Sequence, residues 1–562
     1  MLLQAVLLGG FAWALWQIIR PFVVKSPLDV VPGPPSKSFL AGNLEQLFDR
    51  DSWGFHDEVG QNYGPIVKIN AVLGGKWLYV FDPTALRSIV LKEQGTYDQI
   101  PWLIQSTRLL LGPGILGVLG EAHRRQRKML TPVFSEANLR NLTPVFYEVA
   151  HRLVQGISKN VQSAPKSVDM LDWMGRAALE IMGQAGMGHS FDPLTSESSS
   201  DPYTKAAKTY LPLSFTPAMV AMRQASPILT SLGPAWFRRL VVDLLPIPQV
   251  QQLKHVVDVL HDTSIQIIGE KKAALEMGDT YKEKDIISIL LKANMAAAEG
   301  ERLPDEQIIG QMSILLFAAT DTTSHMMAQV LQLLAEHPDI QNKVRSEILA
   351  SRDGQDVAYD QLQSLPYLDA VCKETLRLYP PTPIVLREAF QDSTLTLSMP
   401  MRGSDGSMID SVFVPKGTNV LLGVRACNRD RALWGDDAEE WNPERWLKPL
   451  PKAVEAASIP GVYSHLYVFA GRFCCGKPVT FMCSFRRMTF VGGSRSCIGF
   501  KFAQIEMKVI LSTLLANFTF EPSEKPIVWN VSAITFPSIS KESEKPEMWL
   551  KVGRCNPGDV SV

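Results

Sequence analysis

Phe490-Val491-Gly492-Gly493-Ser494-Arg495-Ser496-Cys497-Ile498-Gly499 is the stretch that decides how this chain is read. Gly492, Gly493 and Gly499 allow a sharp backbone turn and the close approach of a large group. Arg495, just ahead of the thiol, supplies a fixed positive charge suited to a carboxylate. Cys497 can then offer a thiolate to a metal. A loop of this kind suits a flat, anionic, metal-bearing cofactor. The plainer alternative is a glycine-rich turn around a free, buried cysteine, and the remainder of the chain has to decide between the two.

The 562 residues are 46% hydrophobic and 20% charged, with a formal net charge of -1. This is the composition of a globular enzyme, and its balanced charge leaves no electrostatic footprint for nucleic acid. The 7 cysteines are odd in number and unevenly scattered, which fits a reducing compartment better than a disulfide framework. Leu2 to Ile19 carries no charge and is followed by Arg20 and Lys25. It is just long enough to cross a bilayer, and the basic residues after it keep the body on the cytosolic side. A cleaved signal peptide is the rival, but no basic segment precedes the apolar run. Residues 1–24 are therefore expected to be a transmembrane anchor. Residues 25–40, with Pro32-Gly33-Pro34-Pro35, form a stiff hinge, and 41–562 the body.

Within the body, Ile66-Val67-Lys68-Ile69 and Trp77-Leu78-Tyr79-Val80 flank Gly74-Gly75 and predict a hairpin. Asp82-Pro83 opens a short helix through Leu91. Tyr97 to Gly120, interrupted by Gly112-Pro113-Gly114, reads as a long loop. Helical patterning dominates from Glu121 to Lys292. Pro304-Asp305-Glu306 then starts a long helix that His337-Pro338 stops. Its centre, Ile314 to Ala319, is apolar all round, as in a helix that threads a core. A helix over Leu368–Leu378, strands near Leu395 and Val412, and a last helix from Gly499 to Ala516 complete the expectation of many helices with a minor sheet. Directly after the apolar centre come Asp321 and Thr322. An acid beside a hydroxyl is costly there unless the pair has partners or work, although simple back-bonding to the helix is the bland reading.

The spacing Phe-x-x-Gly-x-Arg-x-Cys-x-Gly at 490–499 resembles the haem-binding loop of the cytochrome P-450 superfamily, and the likeness covers nearly the whole chain after the anchor. It implies the mainly α cytochrome P-450 fold with a minor β region, and haem b with Cys497 as the axial iron ligand. Phe490, Arg495 and Gly499 would belong to the cofactor loop. Thiolate ligation favours O–O cleavage. Ala318-Ala319-Thr320-Asp321-Thr322-Thr323 is similar to the family's oxygen-activation motif, departing from it at Ala319, where glycine is commoner. The resemblance implies that Thr322 holds a hydrogen-bonded oxygen or water and that Asp321 passes protons inward. Glu121 to Lys128 resembles the helix where the family often has Trp-x-x-x-Arg, with His123 at the Trp position and Arg127 at the Arg position. With Arg387, these would meet the haem propionates; the alternative for each is a solvated surface position. Glu374, Arg377 and Arg445 would form a buried charge network that locks the core under the haem.

The function so implied is a membrane-anchored haem-thiolate monooxygenase. It would insert one oxygen atom from dioxygen into a lipophilic small molecule, by resemblance a terpenoid or other secondary metabolite, with Trp102, Ile115, Ile384 and Val385 around it. No flavin or nicotinamide motif is visible, so electrons are expected from an NADPH-cytochrome P-450 reductase. A basic face of Arg124, Arg125, Lys128, Lys501 and Lys508 would steer it. The implied location is the endoplasmic reticulum membrane, single-pass, with the catalytic domain facing the cytosol. A haem-thiolate isomerase or dehydratase that does not use dioxygen is the enzymatic rival.

Tyr467 to Arg487 is the anomaly: it holds Cys474, Cys475 and Cys483 and no acid. Gly471-Arg472-Phe473-Cys474-Cys475-Gly476 mimics a second haem loop, but Tyr467 and Ala470 stand where Phe and Gly are required. Joining Leu466 to Met488 restores a short run into the Cys497 loop. Residues 467–487 therefore read as an aberrant insertion, such as a translated intron. That leaves a third function open, a pseudoenzyme disabled by this segment.

Overall fold

The computed structural model describes Trp16 and residues 23–161, 164–195, 201–277, 284–352, 354–457, 459–461 and 488–555. The expected anchor, apart from Trp16 and its last residues, and the whole of 467–487 lie outside the described residues. Among the described residues no helix is long and apolar enough to cross a membrane.

Strands β1 (Ile66–Asn70) and β2 (Lys76–Val80) form the expected antiparallel hairpin, in register from Ile66↔Val80 to Asn70↔Lys76. The proline-rich stretch lies along β1: Lys68 N donates to the Pro32 carbonyl at 2.8 Å and Asn70 Nδ2 to the Pro34 carbonyl at 3.1 Å. After the hairpin, α1 (Pro83–Arg87) is capped by Asp82, whose Oδ1 accepts from Thr84 N and Ala85 N, both at 2.9 Å. Asp82-Pro83 thus acts as read, a side-chain acceptor followed by a residue that needs no donor partner.

The long loop expected over Tyr97–Gly120 is a misreading. Strand β3 (Tyr97–Asp98) is followed by α2 (Pro101–Leu111), which begins on proline and ends at Gly112, φ 88°. The amphipathic run Trp102 to Leu111 contains no breaker, so the chain has no reason to leave the helix before Gly112. Next come α3 (Gly120–Leu130), α4 (Glu136–Asn160), β4 (Lys166–Asp169), α5 (Met170–Ile181), α6 (Pro202–Ser214), α7 (Ala235–Leu244) and α8 (Pro248–Glu276).

The long helix α9 spans Asp305–Glu336 as expected. It meets the Gly112–Gly114 turn backbone to backbone: a Cβ on Gly114 would stand 2.6 Å from the Gly310 carbonyl oxygen. Beside that contact, Ile115 N donates to Gln311 Oε1 (3.0 Å), Gln311 Nε2 to Gln126 Oε1 (2.7 Å) and Gln126 Nε2 to the Pro113 carbonyl (2.9 Å). This relay seats α3, with His123 and Arg127, against α9.

The second half contains α10 (Pro366–Leu378), β5 (Ile384–Ala389), β6 (Ser393–Arg402), β7 (Met408–Val414), β8 (Asn419–Gly423), α11 (Phe500–Asn517), β9 (Phe518–Pro522), β10 (Val528–Asn530), β11 (Phe536–Ser538) and β12 (Trp549–Arg554). A five-stranded sheet has the order β1-β2-β8-β5-β3, and a three-stranded sheet the order β4-β12-β9. Helices α4, α5, α9 and α11 share one apolar core, while the larger sheet builds another. The Cys497 loop joins the two: Met488 and Val491 sit in the sheet core, and Phe490 and Ile498 pack on the helical one.

Candidate active site

The loop is a tight turn held by its own backbone. Val491 N donates to the Met488 carbonyl (2.8 Å), Ser496 N to Gly493 (3.1 Å) and Cys497 N to Phe490 (3.0 Å). Val491 and Gly493 have φ of 47° and 71°. A Cβ on Gly493 would also collide with the Val90 carbonyl, so both conformation and space require glycine there. Gly499 has a different reason: its φ is -91°, and among the described residues no atom beyond its own chain neighbours lies within 4 Å of where its Cβ would stand. It leaves room beside the thiol.

Cys497 ends this turn immediately before α11, so its sulfur lies at a helix N-terminus, where negative charge is favoured. The residue is exposed, yet burial pushes its pKa above the ordinary thiol range, opposed by the Gly499 N–H and the Arg127 guanidinium. Metal coordination would deprotonate such a thiol outright.

Helix α9, which packs on α11, has one opening. From Gly310 to Leu331 it is buried except at Phe317, Ala318, Ala319, Asp321 and Thr322, which are half-buried. Asp321 has its pKa raised to about 7 by burial, with Lys208 opposing. Thr322 Oγ1 donates to the Ala318 carbonyl at 2.8 Å. The back-bond commits the hydroxyl proton and leaves the oxygen lone pairs as acceptors. One turn on, buried His325 has its pKa pushed down to about 4 and shares a 2.8 Å hydrogen bond between Nδ1 and the Thr535 carbonyl. That contact ties the β10–β11 connection to α9.

The expected propionate ligands converge. Arg127 Nη1 and Nη2 donate to the Ser496 carbonyl (2.7 Å) and Ser496 Oγ (2.6 Å), bracing the residue next to the thiol. Buried Arg387 donates to the Leu386 carbonyl at 2.8 Å, and burial lowers its pKa to about 10. His123, also buried, has its pKa held down to about 4 by burial and then by Arg495, Arg127 and Arg387. A fully buried guanidinium with no ion-pair partner among the described residues, set in a field of other cations, calls for an anion. The two carboxylates of haem b fit that demand, and Cys497 fits its iron.

Arg495 is different. Its Nε and Nη2 donate to Asp98 Oδ1 (2.9 Å) and Oδ2 (3.2 Å), and Nη2 also to the Val118 carbonyl (3.0 Å). Sequence reasoning missed Asp98. The available signal was that it is the sole acid between Glu93 and Glu121.

Glu374 is fully buried and receives Arg377 Nε (2.8 Å) and Nη2 (2.7 Å), Trp446 Nε1 (2.9 Å), Asn442 N (3.1 Å) and Arg445 Nε (3.4 Å). Arg377 Nη1 also donates to the Asn428 and Ala438 carbonyls at 2.7 and 2.6 Å. The structure therefore brings the three expected partners together.

Of the expected basic face, Arg124 pairs with Glu121 (3.2 Å), Lys128 with Glu301 (3.2 Å) and Lys501 with Glu136 (3.8 Å), while Arg125 Nη1 donates to the Gly300 carbonyl (3.4 Å). Lys508 does not belong to that face. It is buried and paired with Asp369 at 2.9 Å, because its side of α11 faces α10 and Gln363. Among the residues proposed around a substrate, Ile115 lies in the helical core, and Trp102, Ile384 and Val385 are half-buried.

Comparison with known proteins agrees with this geometry. The cytochrome P450 family model matches residues 32–538. Cytochrome P450 monooxygenase 91 of Postia placenta is 47% identical, over 98% of this chain and 99% of that protein. Ganoderic acid synthetase CYP5150L8 of Ganoderma lucidum is 44% identical over 98% of each. A cytochrome P450 monooxygenase of Hericium erinaceus, eriI, is 34% identical over 95% of each.

Proposed function

The chain belongs to the cytochrome P450 family, a family of haem-thiolate oxidoreductases, and from that premise we propose that it inserts one oxygen atom of dioxygen into a lipophilic small molecule, a terpenoid or related secondary metabolite. The observation that carries this reading is the exposed thiol of Cys497, in a turn braced by Arg127 and leading into α11, the helix that packs on α9 with its half-buried stretch at residues 317–322. The terpenoid class is supported by the name of the Ganoderma lucidum relative.

When bound, haem b supplies an iron that activates dioxygen with the thiolate's electron push. The residues of the chain do the rest. Cys497 would hold the iron through its thiolate, and the Gly499 N–H and Arg127 favour its charged form. Arg127, Arg387, Arg495 and His123 would hold the haem carboxylates, and Phe490 and Gly499 would shape the loop around the ligand. Asp321, with a pKa near neutrality, holds a proton for delivery, and Thr322 orients its acceptor through fixed lone pairs. Glu374, Arg377 and Arg445 keep the floor of the site in one arrangement.

Electrons come from an NADPH-dependent reductase docking near Arg124, Arg125, Lys128 and Lys501. A membrane location is supported by the outer face of α7, where Trp236 is 70% and Leu244 73% exposed beside exposed Phe237, Leu240 and Val241. We place the enzyme on the cytosolic face of the endoplasmic reticulum membrane. The reduced, carbon-monoxide-bound spectrum tests the site: the purified protein should show the thiolate-type Soret shift and Cys497→Ala should lose it. A thiolate signal that survives this substitution would remove Cys497 as ligand.

A further inference from the structure

Among the described residues, the cations around the Cys497 loop are joined by one carboxylate of the chain's own. Asp98 closes β3, in register with Glu388 of β5, the strand that carries Arg387. It takes Arg495 through both oxygens, at 2.9 and 3.2 Å, a fork geometry that fixes the guanidinium's plane as well as its position. Asp98 acts on the wider cluster too: its charge opposes the effect of the arginines on both His123 and Arg387.

The charge balance of this cradle is simple. Arg127, Arg387 and Arg495 are cationic. His123, with its pKa near 4, is neutral at physiological pH. Asp98 cancels one guanidinium, and the cradle is left with two positive charges, the complement of the two carboxylates of haem b. We propose that Asp98 is a positioning residue that locks Arg495 edge-on and sets the cradle's net charge to match the haem carboxylates. This rests on the haem reading above. Without Asp98 the cofactor would sit beside one surplus positive charge in a low-dielectric site, where such charges act strongly.

A surplus cation favours the electron-rich ferrous state. Asp98→Asn keeps the size and one acceptor for Arg495 but removes the charge. In a redox titration of haem-loaded protein it should raise the midpoint potential, increasing the ferrous-to-ferric ratio at a fixed potential by roughly tenfold, the order expected of one unit charge acting on another through protein. Asp98→Glu, which keeps the charge, should stay near the wild type. The decisive protein is Asp98→Asn combined with Arg495→Gln, which restores the net charge while breaking the pair: its potential should return toward that of the wild type. A purely structural Asp98 would make the double variant no better than Asp98→Asn, and that result would overturn the proposal. An unchanged potential in Asp98→Asn at equal haem content would also overturn it. Should Asp98→Asn fail to load haem, recovered loading in the double variant supports charge matching, and no recovery rejects it. A wild-type protein without a thiolate haem spectrum would instead sink the haem reading itself.

Discussion

Glu374 and Glu506 are both fully buried, on helices α10 and α11 that pack against each other, and the chain treats them in opposite ways. Glu374 is surrounded by Arg377, Arg445, Trp446 and the Asn442 amide. Neither oxygen of Glu506 has a hydrogen-bond partner among the described residues, and burial lifts its pKa well above the ordinary carboxyl value. One acid is kept as part of an ion network, and the other keeps its proton because nothing stabilises the charge. Asp321 lies between these extremes, half-buried, with a pKa near 7 and no saturating partner among the described residues. Depth alone therefore does not mark function. A partially open site that leaves the acid able to change its charge near neutral pH does.

The strongest way to break the comparison is at Glu374. Glu374→Gln leaves the guanidiniums of Arg377 and Arg445 without their shared charge, and Arg377 has nowhere to move. The expected loss is about 3–5 kcal/mol, read as a lower denaturation midpoint together with poor haem loading. A loss below about 1 kcal/mol would mean that the backbone carbonyls around Arg377 suffice, and the contrast with Glu506 would collapse.

Asp321 sharpens the middle case. Its pKa is raised, so the proton is present below about pH 7 and lost as pH rises through that value. Product formation by the wild type should accordingly fall with an inflection near pH 7. Asp321→Asn should remove that inflection and slow product formation on the order of 10²-fold, the usual weight of a positioned proton donor. A pH profile identical to the wild type would exclude Asp321 from proton delivery. Thr322 should show a smaller effect, in coupling: Thr322→Ala retains haem and substrate binding but diverts NADPH to hydrogen peroxide. Thr322→Ser, able to keep the Ala318 back-bond, should remain closer to the wild type.

What the sequence revealed follows from how local each signal is. The β1–β2 hairpin, α9 and α11 were legible because Gly74-Gly75, Pro304-Asp305-Glu306, His337-Pro338 and the Cys497 turn punctuate the chain where the elements begin and end. Helix α2 was obscured by the nearby Gly112-Pro113-Gly114, which ends a helix rather than marking a loop. Strand β4 had no local signal, since its partner β12 lies near the other end of the chain. The thiolate loop and the Glu374 network were readable as motifs. Asp98 was not, because its meaning depends on β3 pairing with β5 and on Arg495 arriving from far along the chain. Lys508 failed for a related reason: a lysine on an apolar helix reads as exposed until Asp369 is seen facing it.

The smallest effect belongs to Glu506, and its sign follows from linkage. The folded-state pKa is raised above the ordinary value of 4.5, so the folded state binds the proton more tightly than the unfolded one. The stability associated with this proton is full below the unfolded pKa and is lost progressively as pH rises above it, toward the folded value. Glu506→Gln has no proton to lose and should remove this slope. Compared with the wild type, its denaturation midpoint should gain ground between pH 5 and pH 8. Glu506→Met, of similar length and without polar atoms, should go further at neutral pH, recovering roughly 1 kcal/mol from an unsatisfied buried carboxyl. The comparison fails if Glu506→Met destabilises the protein as much as Glu374→Gln does. In that event Glu506 has a partner of its own, such as a bound water, and the two acids are variations of one design rather than opposites.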